Sequence, residues 1–411
     1  MKDIWADVNY GYKKKITLEN AKVDGDEVDF PVFVGVTDAN LADEANGGHV
    51  KSASGYDIVF YNSAEDTLLK HEIELYTNTN GKLCFWVKIP SISSTPPSTY
   101  IYAYYGKVGV VADPSSTDTW NADYISVYHF VDNTDSTSNA KTLTENNGIS
   151  YANSELGRGA DLNGTDDCFS RASGSGWFTT EDDITVISYV DTPKSVSESK
   201  KIFKQANTYA STIIFPISHP PDELNAYVRR SANTIYPGTG NDELDGNYHL
   251  FAFRSVRNDK VYLHKDDDAA VTANELDNVA FSLGATDRNF VGCDSIGGQT
   301  WEGIMDEVQL IGADVGANWI TTSYNSMSDP GNFLTWGAEE SQSTDVDVSA
   351  GIKVWDGTAD IELVKDNTSP VKVFDGTDVI GVKLVATDDG DASAIRIRLD
   401  GSTTKAFKKK T

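Results

Sequence analysis

The stretch HEIE, residues 71–74, holds the most suggestive pair of acids in this chain of 411 residues. Side chains alternate along a β-strand, so Glu72 and Glu74 share one face while His71 and Ile73 take the other. Two residues at about 3.3 Å rise each set the carboxylates ~7 Å apart. Glycoside hydrolysis uses two carboxyl groups converging on a sugar, one with a raised pKa. Alternating charge is also the pattern of a strand with one solvated face, and that is the reading adopted, with no catalytic residue assigned. The histidines His49, His71, His129, His219, His249 and His264 form no close pair on one element, and no cysteine joins them at zinc-ligand spacing, which argues against a zinc centre. There is no Gly-x-Ser-x-Gly elbow and no phosphate-cradling loop. The chain therefore reads as a non-enzyme, with a polysaccharide-cleaving enzyme dependent on Glu72 or Glu74 as the alternative.

Hard cations take oxygen ligands, and Asp132 with Asp135, Asp166 with Asp167, Asp266 to Asp268, and Asp306 are candidate clusters, none at EF-hand spacing. Sugars are gripped by aromatic faces with amides and charges on the hydroxyls. Trp177, Tyr209, Tyr227, Tyr236 and Trp301 lie in or beside polar loops, and Asn225, Arg229 and Arg230 supply polar contacts. Buried aromatics are the commoner case in β proteins. Trp301 is expected to pack under the loop before GIMDEV, while Tyr227 and Tyr236, which flank VRRSANTI, are expected at the surface.

The elements that must position these groups are strands. FPVFVGV (30–36), YDIVFYN (56–62), HEIELY (71–76), LCFWVKI (83–89) and TYIYAYYG (99–106) are short, β-branched or aromatic, and bounded by turn formers. GANWITTSYNSM (316–327) is the best helix candidate. VADPSSTDTWNADY (111–124) and EESQSTDVDVSAG (339–351) read as linkers. After the second come IKVWDGT (352–358), VKVFDGT (371–377) and the looser RIRLDGS (396–402), alternating runs that each meet an Asp-Gly turn signal. Trp355 and Phe374 are their expected packing anchors, with Gly357 and Gly376 supplying the permissive φ. The chain is thus all-β: a sandwich over 1–115, a second domain over 116–340, and a linker with a small β-hairpin module over 341–411.

The formal charge of −28 divides as −6, −20 and −2 over those segments. So acidic a surface repels phosphate backbones and anionic membranes, which excludes nucleic acid as a partner. No stretch is apolar for long enough to cross a bilayer, and the first twenty residues lack the apolar core of a secretory signal, so no export address is expected. Cys84, Cys168 and Cys293 are odd in number and far apart. They are expected to be buried single thiols of a reducing compartment.

The ordered blocks VNYGYKKKITL, DFPVFV, GYDIVFYNSAEDTLLKHEIELY, CFWVKIP and TYIYAYYG resemble a domain of unknown function that precedes laminin-G-like jelly rolls in prokaryotic and viral surface proteins. YHFVDNTDSTSNAKTL, GRGADLNGTDDCFS, DITVISYV, WEGIMDEVQLIG and WITTSYNSMSDPGNFLTWGAEE resemble a concanavalin A-like, laminin-G-type jelly roll. The closing repeats are similar to end repeats of bacteriophage structural proteins. Together these resemblances imply a fibre, spike or decoration protein of a virion surface that binds host glycans. They also imply a homo-oligomer that joins other virion proteins through residues 341–411. A secreted or cell-surface adhesin is the alternative. The jelly-roll resemblance further implies a structural calcium, with Asp135 and Asp306 as its ligands.

Overall fold

The computed structural model describes residues 5–174, 176–178, 183–193, 199–206, 244–256, 259–272 and 288–342, with 215, 223–225 and 238; elsewhere it describes the backbone of individual strands. The chain is all-β and forms two compact units, 1–340 and 341–411.

Six strands open the first unit: β1 (Tyr12–Leu18), β2 (Glu27–Thr37), β3 (Val59–Tyr61), β4 (His71–Thr77), β5 (Lys82–Ile92) and β6 (Tyr100–Tyr105). The apolar runs marked in the sequence are these strands. β2, β5 and β4 form one sheet in that order, and Pro31 is accommodated because β2 lies at its edge. β1, β6 and β3 form the facing sheet. Between them Ile16, Val32, Val34, Phe60, Phe85, Val87 and Ile101 are buried, a face-to-face core of alternating inward residues.

Sixteen strands follow: β7 (Tyr124–Tyr128), β8 (Thr144–Asn146), β9 (Ser150–Asn153), β10 (Arg158–Asn163), β11 (Cys168–Arg171), β12 (Ile184–Asp191), β13 (Lys200–Ala206), β14 (Ser211–Ser218), β15 (Glu223–Leu224), β16 (Tyr227–Arg230), β17 (Asn233–Ile235), β18 (Tyr248–Ser255), β19 (Val261–Lys265), β20 (Val271–Ala273), β21 (Arg288–Val291) and β22 (Glu302–Ile311). One sheet runs β20-β19-β18-β12-β22-β10-β9 with β7 also on β22; the other runs β17-β16-β14-β13-β21-β11-β8 with β15 on β14. They enclose a second core around Tyr128, Phe169, Phe203, Phe253, Trp301 and Met305, a jelly-roll-like sandwich.

The two sandwiches share material. Helix α1 (Gly316–Ser328), where the sequence placed it, lays Trp319 against Phe30 of β2, ring centroids 4.5 Å apart. Thr322 Oγ1 accepts from the Asp24 amide at 3.0 Å, and Asn325 Nδ2 donates to Lys22 O at 2.9 Å. After the short helix α2 (Pro330–Phe333), strand β23 (Leu334–Ser341) joins β1 at the edge of the amino-terminal sheet. Ile187, Tyr189, Leu250 and Ala252 of the jelly-roll-like part belong to the amino-terminal core cluster. Residues 1–115 and 116–340 thus make one compact unit, with apolar packing continuous across their junction. The segment 111–124, read as a linker, is docked on β4: Ser116 N donates to His71 O at 2.9 Å, Ile73 N to Ser115 Oγ at 3.0 Å, and Trp120 is buried.

A second correction concerns the cysteines. Cys168 and Cys293 are joined in a disulfide, and Cys84 alone is free among them. Their separation of 125 residues misled because β11 and β21 are neighbours in the sheet, with Phe169 opposite Val291. No helix of the described residues is long and apolar enough to cross a membrane.

In the second unit β24 (Val346–Asp347), β25 (Lys353–Trp355), β26 (Asp360–Glu362), β27 (Val371–Phe374), β28 (Val379–Val385) and β29 (Arg396–Asp400) form a β25-β26 hairpin and a sheet of order β24-β29-β28-β27. The first two repeats bracket hairpins, with Trp355 opposite Asp360 and Phe374 opposite Val379. The third supplies β29, paired with β28. Gly357, Gly376 and the side chains of Trp355 and Phe374 lie outside the described residues.

Candidate functional site

Where the two sandwiches meet, three carboxylates close on one imidazole, with a fourth, Asp306, buried nearby. β4 delivers Glu72 and Glu74, the chain leaving β7 delivers His129, and β22 delivers Asp306 and Glu307. Two bulges aim them. In the β4–β5 ladder the register shifts between Ile73, opposite Phe85, and Leu75, opposite Cys84, so Glu74 is the extra residue. In the β12–β22 ladder Tyr189 faces Glu307 and Val190 faces Met305, which leaves Asp306 unpaired. A bulge bends its strand and turns the extra side chain out of simple alternation.

Glu72 and Glu74 do address a common centre, with the bulge at Glu74 between them and simple alternation, but it is not solvent. The Glu74 side chain is fully buried and that of Glu72 is 17% exposed, because β22 and the docked segment carrying Trp120 cover the face. This corrects the solvated-face reading. Glu307 Oε2 lies 2.7 Å from His129 Nδ1, Glu74 Oε2 3.7 Å from the same nitrogen, and Glu72 Oε2 3.4 Å from Nε2. Each carboxylate is held from behind: Trp86 Nε1 donates to Glu74 Oε2 at 2.8 Å, Trp120 Nε1 to Glu72 Oε2 at 2.6 Å, and Gln309 Nε2 to Glu307 Oε1 at 3.1 Å. The rings of Trp86 and Trp120 flank the imidazole, each centroid 5.5 Å from it, a setting that favours a cation there.

Burial opposes charge on His129, yet the carboxylates of Glu307 and Glu72 outweigh it and hold its pKa well above the usual value. Burial drives Glu74 well above the carboxylate range, with His129 pulling the other way and Asp306 and Glu307 adding to the rise. Burial likewise lifts Asp306 to about 8, against the Leu156 amide that donates to its Oδ2 at 2.9 Å, and raises Glu307 against the pull of His129. Hydrogen bonding stays incomplete: Glu74 Oε1, His129 Nε2 and Asp306 Oδ1 are buried without a partner. One ligand atom each from Glu74, His129 and Glu307 lie within 4.8 Å of one another, close enough to share a cation.

The structure does not bring Asp135 and Asp306 together as calcium ligands. Asp135 organises its own loop, taking the amides of Val127, Thr137 and Lys141 and the hydroxyls of Ser126 and Thr137. Its lone pairs are spent on donors, while Asp306 sits in the seam and bonds Leu156. Trp177 is not a sugar platform: it is 1% exposed, and its indole N–H donates to Tyr128 OH at 2.8 Å. Trp301 is buried as expected, with Nε1 on Asp191 O. Tyr227, Arg229 and Arg230 fall on β16, whose backbone pairs with β14 and the edge strand β17; their side chains, Tyr236 and Tyr209 lie outside the described residues. Asn225 is partly exposed beside them. A Cβ at Gly238 would collide with both the Glu223 carboxylate and Asn225 Oδ1, so these polar groups converge over bare backbone. Sequence reasoning missed His129, Asp306 as a seam residue, and Glu307. Only EIE in β4 and DE in β22, acids inside otherwise apolar strands, could have signalled them.

A family model described as a domain of unknown function (DUF2341) matches residues 54–147, a segment that contains Glu72, Glu74, Trp86, Trp120 and His129. No curated protein matches the chain. Among solved structures, domain 4 of AbnA, an extracellular GH43 arabinanase from Geobacillus stearothermophilus in complex with arabinotriose, is 19% identical. The match covers 50% of this chain and 100% of that one, with a TM-score of 0.42. The CBM40 of Ruminococcus gnavus IT-sialidase bound to α2,3-sialyllactose is 12% identical over 38% of this chain and 95% of that one, TM-score 0.29. Tailspike protein 2 of an Escherichia coli O157:H7 bacteriophage is 11% identical over 45% and 27%, TM-score 0.34. Several of these neighbours are carbohydrate-binding domains.

Proposed function

We propose that the chain is a non-enzymatic, surface-displayed glycan-binding protein, a fibre, spike or decoration component of a virion, with the jelly-roll-like sandwich as the binding part and residues 341–411 as the assembly part. The observation that carries the reading is the polar edge of the second sandwich. There the Glu223 carboxylate and the Asn225 amide meet over Gly238, next to β16 with Tyr227, Arg229 and Arg230. A carboxylate and an amide side by side are groups that bind sugar hydroxyls. The non-catalytic reading is supported by the burial of Glu72, Glu74 and Glu307, which leaves no room for a glycosidic bond between them.

The test is a glycan array with the full chain, repeated with Asn225→Ala and Tyr227→Ala. Binding lost in both, with no oligosaccharide released, is the expected result; release of oligosaccharide that Glu74→Gln abolishes would replace the reading with the hydrolase. One observation favours a second address. The Cys168–Cys293 disulfide suits an oxidising compartment, as for a secreted or cell-surface adhesin. Thiol labelling of the native protein recovered from its source, on particles or on cells, separates the two.

A further inference from the structure

The groups in the seam between the sandwiches exceed what a packing contact requires. Two fully buried carboxylates, Glu74 and Glu307, face the same imidazole nitrogen. One oxygen of Glu74 accepts nothing. Burying acids without compensation is among the costliest arrangements a fold can hold. We infer that the seam is a divalent-metal site built for Zn2+, with His129 Nδ1, Glu74 and Glu307 as its protein ligands.

Tetrahedral zinc with bonds of about 2.0–2.1 Å places its ligand atoms roughly 3.3 Å apart. The Nδ1 distances, 2.7 Å to Glu307 and 3.7 Å to Glu74, bracket that spacing, so small side-chain shifts suffice. A zinc-bound histidine usually donates its other N–H to an orienting acceptor. Here Nε2, which lacks a hydrogen-bond partner of its own, lies 3.4 Å from Glu72 Oε2, and Trp120 holds that carboxylate in place. Trp86 and Gln309 steady the other two ligands. One nitrogen among oxygen donors suits zinc better than calcium, which takes six to eight oxygens. Ligands bind zinc in their deprotonated form, so any proton held by His129 Nδ1 or by the two carboxyl groups passes to water as the ion enters. Ligands from β4, β7 and β22 would make the ion a staple between the sandwiches.

The full chain, stripped with chelator, is given ZnCl2 alone near neutral pH. Expected are one zinc retained per chain after dialysis and a melting temperature raised by roughly 4 °C at a hundredfold excess over Kd. Glu307→Gln, nearly isosteric, and His129→Gln should each lower zinc affinity at least tenfold. If His129→Gln fails to fold, zinc retention by Glu307→Gln decides. No zinc retained and an unchanged melting temperature would overturn the site, as would zinc held equally by Glu307→Gln. Retention of CaCl2 in preference to ZnCl2 would remove His129 as a ligand and overturn the assignment.

Discussion

Arg254 Nε donates to His264 Nε2 at 3.0 Å across the β18–β19 ladder, while the other end of the guanidinium lies 2.5 Å from Asp314. The imidazole must accept, so it stays neutral; burial and the neighbouring guanidinium push its pKa down to about 4. On the same two strands His249 takes the opposite course. Burial works against its charge, but Asp266 at 2.6 Å and Asp245 at 3.1 Å prevail and raise its pKa.

These two histidines predict a stability maximum in pH. Below about 6.5 the unfolded chain protonates His264 while the folded chain does not, so stability falls as pH drops towards 4, by about 3 kcal/mol. The contribution of His249 is complete below about 6.5 and is lost as pH rises through its raised pKa. Melting temperatures across pH 4 to 9 should show both limbs. His264→Gln should flatten the acid limb and His249→Gln should shrink the alkaline one; unchanged profiles would refute the assignment.

Trp86→Phe keeps the ring in the core but removes the N–H that Glu74 accepts. The buried carboxylate then has no donor on either oxygen, and unfolding in urea should show a loss of about 1–3 kcal/mol. Trp120→Phe should cost less, because Glu72 is partly exposed and water can replace the lost donor.

The Cys168–Cys293 bond closes a loop of 125 residues. Reduction, or Cys168→Ser with Cys293→Ser, should lower the stability of the first unit by about 2–5 kcal/mol, read as a shift of the denaturant midpoint. An equal midpoint with and without reductant would mean the bond does not form in solution.

Ending the chain at residue 340 should leave the first unit folded, with native melting and glycan binding, since residues 341–411 form a unit of their own. If residues 341–411 are the assembly part proposed above, light scattering should show a smaller species for the truncated chain than for the full chain. A truncation that still oligomerises but no longer adheres would make the hairpin repeats the host-facing end.

The strands, the helix at 316 and the paired hairpins were legible because each is set by a local pattern. The β-branched and aromatic run HEIELY marked β4 as the strand that carries Glu72 and Glu74. What covers a face is not local. Nothing near HEIE says that a β22 strand beginning some two hundred residues later, and Trp120 from an apparent linker, will close over it. Strand adjacency hid the disulfide for the same reason. Trp177 shows the reverse error: polar neighbours in sequence suggested a surface, yet Tyr128 and Gln205 from other strands draw it inward.

β23 gives the amino-terminal sheet its edge only after nearly the whole first unit has been made. At synthesis rates of 5–20 residues per second, β1 waits on the order of a quarter of a minute to a minute for its partner. During that interval its backbone donors and acceptors stand open to other growing chains. The sandwich first in order of translation is therefore the last to be finished, and a ribosome stalled before residue 334 carries a nascent chain that is selectively vulnerable at β1.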